Sequence, residues 1–272
     1  MSANASAGIV LPAVFTGAER VFHMAPTELA ADGATTTTMM TGPWMLDRAG
    51  VPVRGGLGVL IDVGVGSAVL AARPEPDSWG VTTEISVDFC TGPPADGSRV
   101  MATARPVQIG RRGGLGAGEL RSEDGQLIAI GSQRQRYLAR ATPPPATPGP
   151  ARPPGGSTLP DLLGLEFRDH SALRLPGCPE LGNVSGVLHG GVVLCCAEVA
   201  ATSAVGQPGF TTSSVRVTYL RPVRLVGDIR FVPQVLNLSR SVATVQVRVT
   251  RPDGKLAAIA TVVRESAGGV PN

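Results

Sequence analysis

The 272-residue sequence has little lysine, few aromatic side chains and few charges. Lys255 is its only lysine, aromatic residues make up 4%, and charged residues make up 17% against 43% hydrophobic residues. This composition supplies enough apolar side chains for sizeable cores and excludes a mainly disordered chain. The net charge of +3 is mild, and the sequence shows neither a basic patch nor a helix-turn-helix pattern. Nothing in it therefore indicates a nucleic-acid partner.

Cysteine is also scarce, and its spacing fits neither a metal site nor a disulfide framework. The four cysteines are Cys90, Cys178, Cys195 and Cys196. The adjacent pair points to different sides of a helix, which is typical of small core residues. We predict no metal and no cofactor. The first nineteen residues contain no lysine or arginine, so a basic secretory start is not evident, and we predict a cytoplasmic protein.

The sequence repeats itself, and each copy places one carboxylate in an apolar, glycine-led segment. Asp62 is the only charge in residues 55–72, and Glu198 is the only acid in residues 187–215. Three pairs of segments align: 62–69 with 198–205, 85–89 with 215–219, and 124–127 with 253–256. A desolvated carboxylate is costly unless it is paired, hydrogen-bonded or protonated. Two of them at matching positions therefore indicate a chemical role.

The duplication predicts two tandem units. We place the N-terminal unit at residues 1–139, a linker at 140–160 and the C-terminal unit at 161–272. The linker contains eight prolines and no periodic apolar pattern, which is typical of an extended connection. In each unit a helical segment precedes strands with strict alternation, as in half-buried antiparallel strands. We predict an α+β double hotdog, in which each long helix is wrapped by a curled antiparallel sheet.

Three local patterns refine this prediction. The Asp-Gly pairs at 124–125 and 253–254 predict hairpin turns. Residues 55–72 are long enough to span a membrane, but a charge and five glycines within them indicate a buried helix instead. The glycine-rich run 110–118 has no helix after it, so we interpret it as a bulged or closely packed strand rather than a dinucleotide site.

A motif in the second half resembles the signature of phenylacetate-pathway-type hotdog thioesterases. The run 183–191 reads Asn-Val-Ser-Gly-Val-Leu-His-Gly-Gly, and Glu198 follows nine residues after His189. Thr212 and the Val-Thr-Tyr-Leu-Arg-Pro run after it continue the resemblance, which covers most of residues 161–265. It implies that the His-Gly-Gly turn opens the central helix, that an acid on the opposing unit's helix is base or nucleophile, and that a Ser or Thr assists. Many members have Asp where this chain has Glu.

The first half resembles a different branch, the acyl-CoA thioesterase II family. That branch carries an Asp, a Thr and a Gln in its second hotdog, and Asp62, Thr82 and Gln133 match this set. The first half departs from the phenylacetate-type pattern, because Val53 or Arg54 stands where histidine would be. Its Gly-Gly pair is retained, but lies one or two residues closer to the acid.

Thioester hydrolysis needs a polarised carbonyl and an activated water. Unpaired backbone N–H groups at a glycine-led helix start can polarise the carbonyl, and Gly191 and Gly56 are the candidates. A carboxylate in a partly apolar pocket has a raised pKa, which would suit Asp62 and Glu198 to activate water. The residues that would orient the water or the acid are Thr82, Thr212 and Gln133.

We predict an acyl-CoA thioesterase with two clefts between the units. Site one combines Asn183, His189, Gly190 and Gly191 with Asp62, Thr82 and Gln133. Site two pairs Gly55 and Gly56 with Glu198 and Thr212. We favour site one, because its glycine turn fits the family pattern better. The expected partners are an acyl-CoA substrate and further copies of the chain in a homo-oligomer, with no nucleic acid and no membrane.

Other interpretations stay open. Hotdog proteins also serve as non-catalytic acyl-CoA binding or regulatory modules, which commonly add a DNA-binding unit. A hydratase or dehydratase is a further alternative, although the sequence has no Asp with a His five residues later. Taken singly, Asn183 could cap a turn, and His189 could stabilise the helix start through a backbone carbonyl.

Overall fold

The computed structural model describes residues 9–10, 17–139, 157–168 and 172–266. In the N-terminal half the helices are α1 (Gly17–Val21) and α2 (Gly58–Ala71). The strands there are β1 (Ile9–Val10), β2 (Glu28–Leu29), β3 (Thr35–Met40), β4 (Ser78–Phe89), β5 (Arg99–Gly110), β6 (Gly113–Ser122) and β7 (Leu127–Ala139). Short 3-10 turns at Pro43–Met45 and Arg54–Leu57 precede α2.

The C-terminal half repeats this arrangement. Its helices are α3 (Leu159–Leu163) and α4 (Gly190–Val205), with a 3-10 turn at Pro179–Leu181. Its strands are β8 (Glu166–Arg168), β9 (Ala172–Leu175), β10 (Phe210–Tyr219), β11 (Ile229–Leu238), β12 (Val242–Thr250) and β13 (Leu256–Ser266). Helix α3 starts inside the predicted linker, whose residues 140–156 lie outside the described part of the chain. The domain boundaries therefore stay a prediction.

Helices α2 and α4 are both shorter than the apolar segments 55–72 and 187–215 that contain them. Helix α4 ends at Val205, because Gly206 takes the left-handed conformation that closes a helix, with φ of 59°. The remainder of the predicted segment leads into strand β10. The connection from helix α2 to the next strand is short, since strand β4 already starts at Ser78.

The described strands form one thirteen-stranded sheet in which every pair of neighbours is antiparallel, in the order β1-β2-β3-β5-β6-β7-β4-β10-β13-β12-β11-β9-β8. Strands β4 and β10 join the two halves, and Ser86 pairs with Arg216 at the middle of this junction. The Arg216 guanidinium also binds both carboxylate oxygens of Asp88, at 2.6 and 2.7 Å. The two units thus share a continuous sheet, each curled around its own central helix, and the predicted double hotdog is confirmed.

Alternation along the strands builds the core. On β12 the side chains of Val245, Val247 and Val249 are fully buried and their neighbours are less so, as the period of a half-buried strand requires. Helices α2 and α4 are apolar almost all round, because each is enclosed by sheet and by the other helix. Residues 54–71 could span a membrane by length and composition alone, but 67% of this window is buried within the fold.

Glycine allows the two central helices to touch where they begin. A Cβ atom on Gly191 would lie 2.4 Å from the carbonyl oxygen of Gly58, and one on Gly58 would lie 2.6 Å from that of Gly191. No side chain fits at either position, so the helix starts cross in backbone contact. This crossing brings the first turn of each helix against the acid-bearing middle of the other.

The predicted hairpins and the glycine-rich strand are confirmed. Gly125 and Gly254 have φ of 87° and 78°, the left-handed conformation that an Asp-Gly turn uses. Residues 110–118 form the β5–β6 turn and most of β6. A Cβ atom on Gly116 would approach Val69 to 2.7 Å, so glycine there lets the strand pack directly on helix α2.

Candidate active site between the two units

The carboxylate of Asp62 projects from helix α2 to the start of helix α4 in the opposite unit. It is 9% exposed, and its Oδ2 accepts a hydrogen bond of 2.9 Å from the backbone N–H of Gly191. The adjacent Gly190 has no side chain to block this approach, since a Cβ there would lie 2.6 Å from Oδ2. The crossing of the helices therefore creates the contact between acid and helix start that the sequence predicted for site one.

The other oxygen of Asp62 is held by its own unit. Thr82 on β4 donates to Oδ1 at 3.1 Å, and Gln133 on β7 donates to the same oxygen at 3.0 Å. The Gln133 amide also donates to the Thr82 hydroxyl at 2.8 Å. Thr82 stands immediately before a β-bulge in the pairing of β4 with β7, which sets the direction of its side chain. The three residues matched to the acyl-CoA thioesterase II set thus form one hydrogen-bonded group.

His189 pairs with Asp62 across the crossing. Its Nδ1 lies 3.1 Å from Asp62 Oδ2 and 3.1 Å from the nitrogen of Gly191. A protonated Nδ1 donates to the carboxylate, and a neutral one accepts from the amide; the negative charge of Asp62 favours the first arrangement. His189 thus binds a carboxylate. The alternative that it stabilises the helix start through a backbone carbonyl does not describe this contact.

The pKa values of this pair move apart. Burial raises the pKa of Asp62, but the charge and hydrogen bond of His189, together with the Gly191 amide and Thr82, lower it below its ordinary 3.8. Burial lowers the pKa of His189, whereas the charge and hydrogen bond of Asp62 raise it above its ordinary 6.5. The expectation of a raised pKa for Asp62 was therefore wrong, because burial here brings a cationic partner with it.

Tyr219, which sequence reasoning missed, holds the peptide that links Gly190 to Gly191. Its hydroxyl donates to the Gly190 carbonyl oxygen at 2.7 Å, and the N–H of the same peptide is the one that donates to Asp62. Burial, with the charge of Asp62, raises the pKa of Tyr219 well above 10.0, so the hydroxyl keeps its proton. The equivalent position in the N-terminal unit holds Phe89. Phe89 ends β4 and Tyr219 ends β10, and each of these strands has a bulge earlier in its pairing. That Phe-to-Tyr difference was the available signal.

Site two repeats the acid-to-helix contact with other neighbours. Glu198 Oε2 accepts from the backbone N–H of Gly55 at 2.7 Å. Thr212 precedes a bulge as Thr82 does. It is 2% exposed and lies near enough to Glu198 to lower the pKa of that acid. The Thr212 hydroxyl nevertheless has no hydrogen-bond partner of normal geometry in the described chain. Gly56 does not take part, because its N–H donates to the Val53 carbonyl at 3.0 Å.

The charged neighbours of Glu198 differ from those of Asp62: two arginines lie near Glu198, and a histidine lies beside Asp62. Burial raises the pKa of Glu198 above its ordinary 4.5. The nearby Thr212 hydroxyl, the hydrogen bond from Gly55, and the charges of Arg264 and Arg54 oppose this without cancelling it. The expectation of a raised pKa is thus right for this acid. A cleft opens beside it, and Arg54 and Arg264 both line this cleft; sequence reasoning missed Arg264.

Two expectations about backbone and turn residues need correction. The Gly191 and Gly56 amides were expected to be unpaired, but Asp62 and Val53 accept from them, because an acid or carbonyl fills the space that a substrate would need. Asn183 accepts from Ser185 and Val187 N–H groups at 2.9 and 3.4 Å. It shapes the turn before α4 and forms no hydrogen bond with site one within the described chain.

Within residues 17–139, 157–168 and 172–266, no three histidine, cysteine or carboxylate side chains cluster as metal ligands would. The groups that meet at the crossing are carboxylates, backbone amides, hydroxyls and the His189 imidazole.

Comparison with known protein families gives a match over part of the chain. Residues 185–258 match the family model of the Thioesterase superfamily. This match includes the start of helix α4 and the acid on it, and it confirms the predicted class, a thioester hydrolase. No curated protein matches the chain in sequence.

Solved structures resemble the whole chain in fold. The tesB protein of Mycobacterium avium subsp. paratuberculosis has 12% identity and a TM-score of 0.63, with 92% of this chain and 99% of that one covered. An acyl-CoA thioesterase II from Mycobacterium marinum has 12% identity and a TM-score of 0.58, with 94% and 100% covered. An acyl-ACP thioesterase from Bacteroides thetaiotaomicron has 13% identity and a TM-score of 0.61, with 86% and 98% covered. At such identities the likeness establishes the fold alone.

Proposed function

We propose that the chain hydrolyses acyl-CoA to a free acid and coenzyme A, and that it does so at site one. One observation carries this proposal: Asp62, with Thr82 and Gln133 on one of its oxygens, meets the Gly191 amide of the opposite helix start on the other. An activated water and a polarised carbonyl need these two kinds of group side by side.

In the proposed reaction the thioester carbonyl oxygen takes the place of Asp62 Oδ2 at the Gly191 N–H. The amide then stabilises negative charge on that oxygen as water attacks the carbonyl carbon. Thr82 and Gln133 keep the other carboxylate oxygen fixed, so Asp62 stays in position while it exchanges this contact. Tyr219, by donating to Gly190, orients the same peptide from its carbonyl end.

One residue, Asp62, accepts and then returns the proton in the proposed reaction. Asp62, ionised because its pKa is lowered, accepts a proton from the attacking water. Collapse of the tetrahedral intermediate breaks the carbon–sulfur bond, and the departing thiolate of coenzyme A takes that proton. A lowered pKa makes Asp62 a weak base but keeps it charged at neutral pH, and charged His189 beside it stabilises this state.

Coenzyme A is the proposed carrier because the Asp, Thr and Gln set resembles the acyl-CoA thioesterase II family and because two of the similar folds carry that or the tesB name. A third is an acyl-ACP thioesterase, so carrier protein is the alternative to test. A cytoplasmic location, fatty acid metabolism, self-association and independence from a cofactor stay predictions.

The test is release of free thiol from a panel of acyl-CoAs of increasing length and from the matching acyl carrier proteins, followed with a thiol reagent. The proposal expects thiol release from at least one acyl-CoA, faster than from the same acyl group on carrier protein. Saturable binding of acyl-CoA without thiol release, in the wild type as in Asp62→Asn, would favour the non-catalytic binding protein instead.

A further inference from the structure

The cleft beside Glu198 contains two cations whose charge no carboxylate pairs. Arg264 is 6% exposed, and Arg54 is partly buried. Neither forms an ion pair with any carboxylate of the described chain. Glu198 acts on both as a charge at longer range, and Glu265 and Asp47 act in the same way on Arg54 and Arg264, respectively. Desolvating an arginine without a directly bonded counter-charge is costly, so an anion bound directly to these guanidinium groups would stabilise them.

Hydrogen-bond donors in this cleft are also unpaired. The Arg264 guanidinium donates to the Thr202 hydroxyl and to the Phe210 carbonyl, but its Nε–H is buried without a partner in the described chain. The Thr212 hydroxyl, also buried, has no hydrogen-bond partner of normal geometry in the described chain, although it lies close enough to Glu198 to lower the pKa of that acid. Both residues line the cleft. A buried guanidinium N–H without an acceptor, beside a hydroxyl without a partner of normal geometry, indicates a ligand with oxygen acceptors.

The duplication shows that the fold does not require a cation at the position of Arg264. In the strand pairing Arg264 stands opposite Thr212, as Gln135 stands opposite Thr82 in the other unit. Arg54 precedes its Gly-Gly pair as His189 does. Site one thus has the neutral Gln135 and the charged His189 where site two has two arginines, so site two has one cation more than site one.

We propose that the cleft of site two binds a small monocarboxylate, with Arg54, Arg264 and Thr212 holding the carboxylate group. The apolar wall that would receive the tail consists of Val51, Pro52, Val53, Val199 and Phe210. Such a wall, with Glu198 beside it, disfavours a more highly charged and more strongly hydrated anion such as phosphate. Asp47 at the cleft uses one carboxylate oxygen to accept from two N–H groups of its own turn. The binding does not depend on the proposed hydrolysis, although the acids that hydrolysis releases belong to this ligand class.

Calorimetric titration of the full chain with butyrate tests the proposal, with butyramide as the neutral isostere and inorganic phosphate at equal ionic strength. We expect butyrate to bind and the other two not to bind. Arg264→Gln, which installs the residue of the duplicate position, should weaken butyrate at least about tenfold, because it removes a charge-assisted pair. Asp62→Asn should leave butyrate affinity unchanged.

Two results would overturn the assignment. Equal binding of butyramide would show that charge is not recognised, and loss of butyrate binding in Asp62→Asn but not in Arg264→Gln would place the acid in site one. Arg54→His, which is partly exposed and matches the histidine of the other unit, serves if Arg264→Gln does not fold in a thermal melt. Because no substrate is hydrolysed in this titration, its outcome is separate from that of the thiol-release assay.

Discussion

Asp62 Oδ2 lies 2.9 Å from the backbone nitrogen of Gly191, which begins the central helix of the opposite unit. Glu198 and Gly55 repeat the relationship at 2.7 Å in the other direction. Each unit therefore completes the acid site of its partner, and neither site exists in a unit taken alone. Substitutions at the two crossings separate what each contributes.

Thr82→Val should lower kcat by about tenfold to a hundredfold with a smaller change in KM, because Asp62 loses a hydrogen bond that fixes its orientation. The matched control is Thr83→Val, the next residue, whose hydroxyl donates to a backbone carbonyl on the exposed face. Steady-state kinetics with the best acyl-CoA measures both variants. Equal rates for the two would show that Thr82 does not position the acid.

Tyr219→Phe tests whether the Gly190 carbonyl must be held. The duplicate position already contains Phe89, so we expect little loss of stability but a kcat about three- to tenfold lower, since the Gly191 amide becomes a less well oriented donor. Tyr137→Phe removes a comparable hydroxyl, which donates to Val69 at 3.1 Å away from the site. An unchanged kcat in Tyr219→Phe would contradict the role given to this peptide.

Gly190→Ala should damage both stability and activity. The new Cβ would lie 2.6 Å from Asp62 Oδ2, and relief of that overlap costs about 1–3 kcal/mol in the free energy of unfolding. Gly92→Ala adds the same atom where nothing lies within 4 Å and serves as the control. Urea unfolding of the two variants should differ accordingly; similar stabilities would mean that the crossing is looser than described.

The stability contributed by the Asp62–His189 pair should depend on pH. A lowered Asp pKa gives stability that is present above its ordinary 3.8 and lost as the pH falls through the folded value. A raised His pKa gives stability that is present below its ordinary 6.5 and lost as the pH rises through the folded value. Both contributions are complete between these two pH values.

Urea unfolding of the wild type and His189→Gln over a pH series checks this expectation. The difference in free energy of unfolding should be largest within that window and should shrink as the pH rises above it. A difference that stays constant or grows at higher pH would show that His189 is not charged against Asp62.

The fold and part of site one could be predicted from the sequence. The duplication and the alternation along strands predicted the double hotdog, because both follow from local periodicity. Asp62, Thr82 and Gln133 were found together through a resemblance, and the structure joins them by hydrogen bonds. All three residues lie in one unit, so this part of the site does not depend on how the two units meet.

Features that depend on how the units meet were not predictable in the same way. The lowered pKa of Asp62 follows from the approach of His189 across the crossing, and the engaged Gly191 amide follows from the same approach. Arg264 became part of site two only through the strand pairing that sets it opposite Thr212. Asn183 fitted a family motif, yet its side chain satisfies its own turn.

The most direct test of the account is the initial rate of thiol release from an acyl-CoA by Asp62→Asn and Glu198→Gln, measured beside the wild type with folding checked by thermal melting. With Asp62 as the base of site one, Asp62→Asn should be slower by at least about a hundredfold, and Glu198→Gln should stay within about threefold of the wild type. A wild-type rate in Asp62→Asn, or a collapse of the rate in Glu198→Gln alone, would contradict the account.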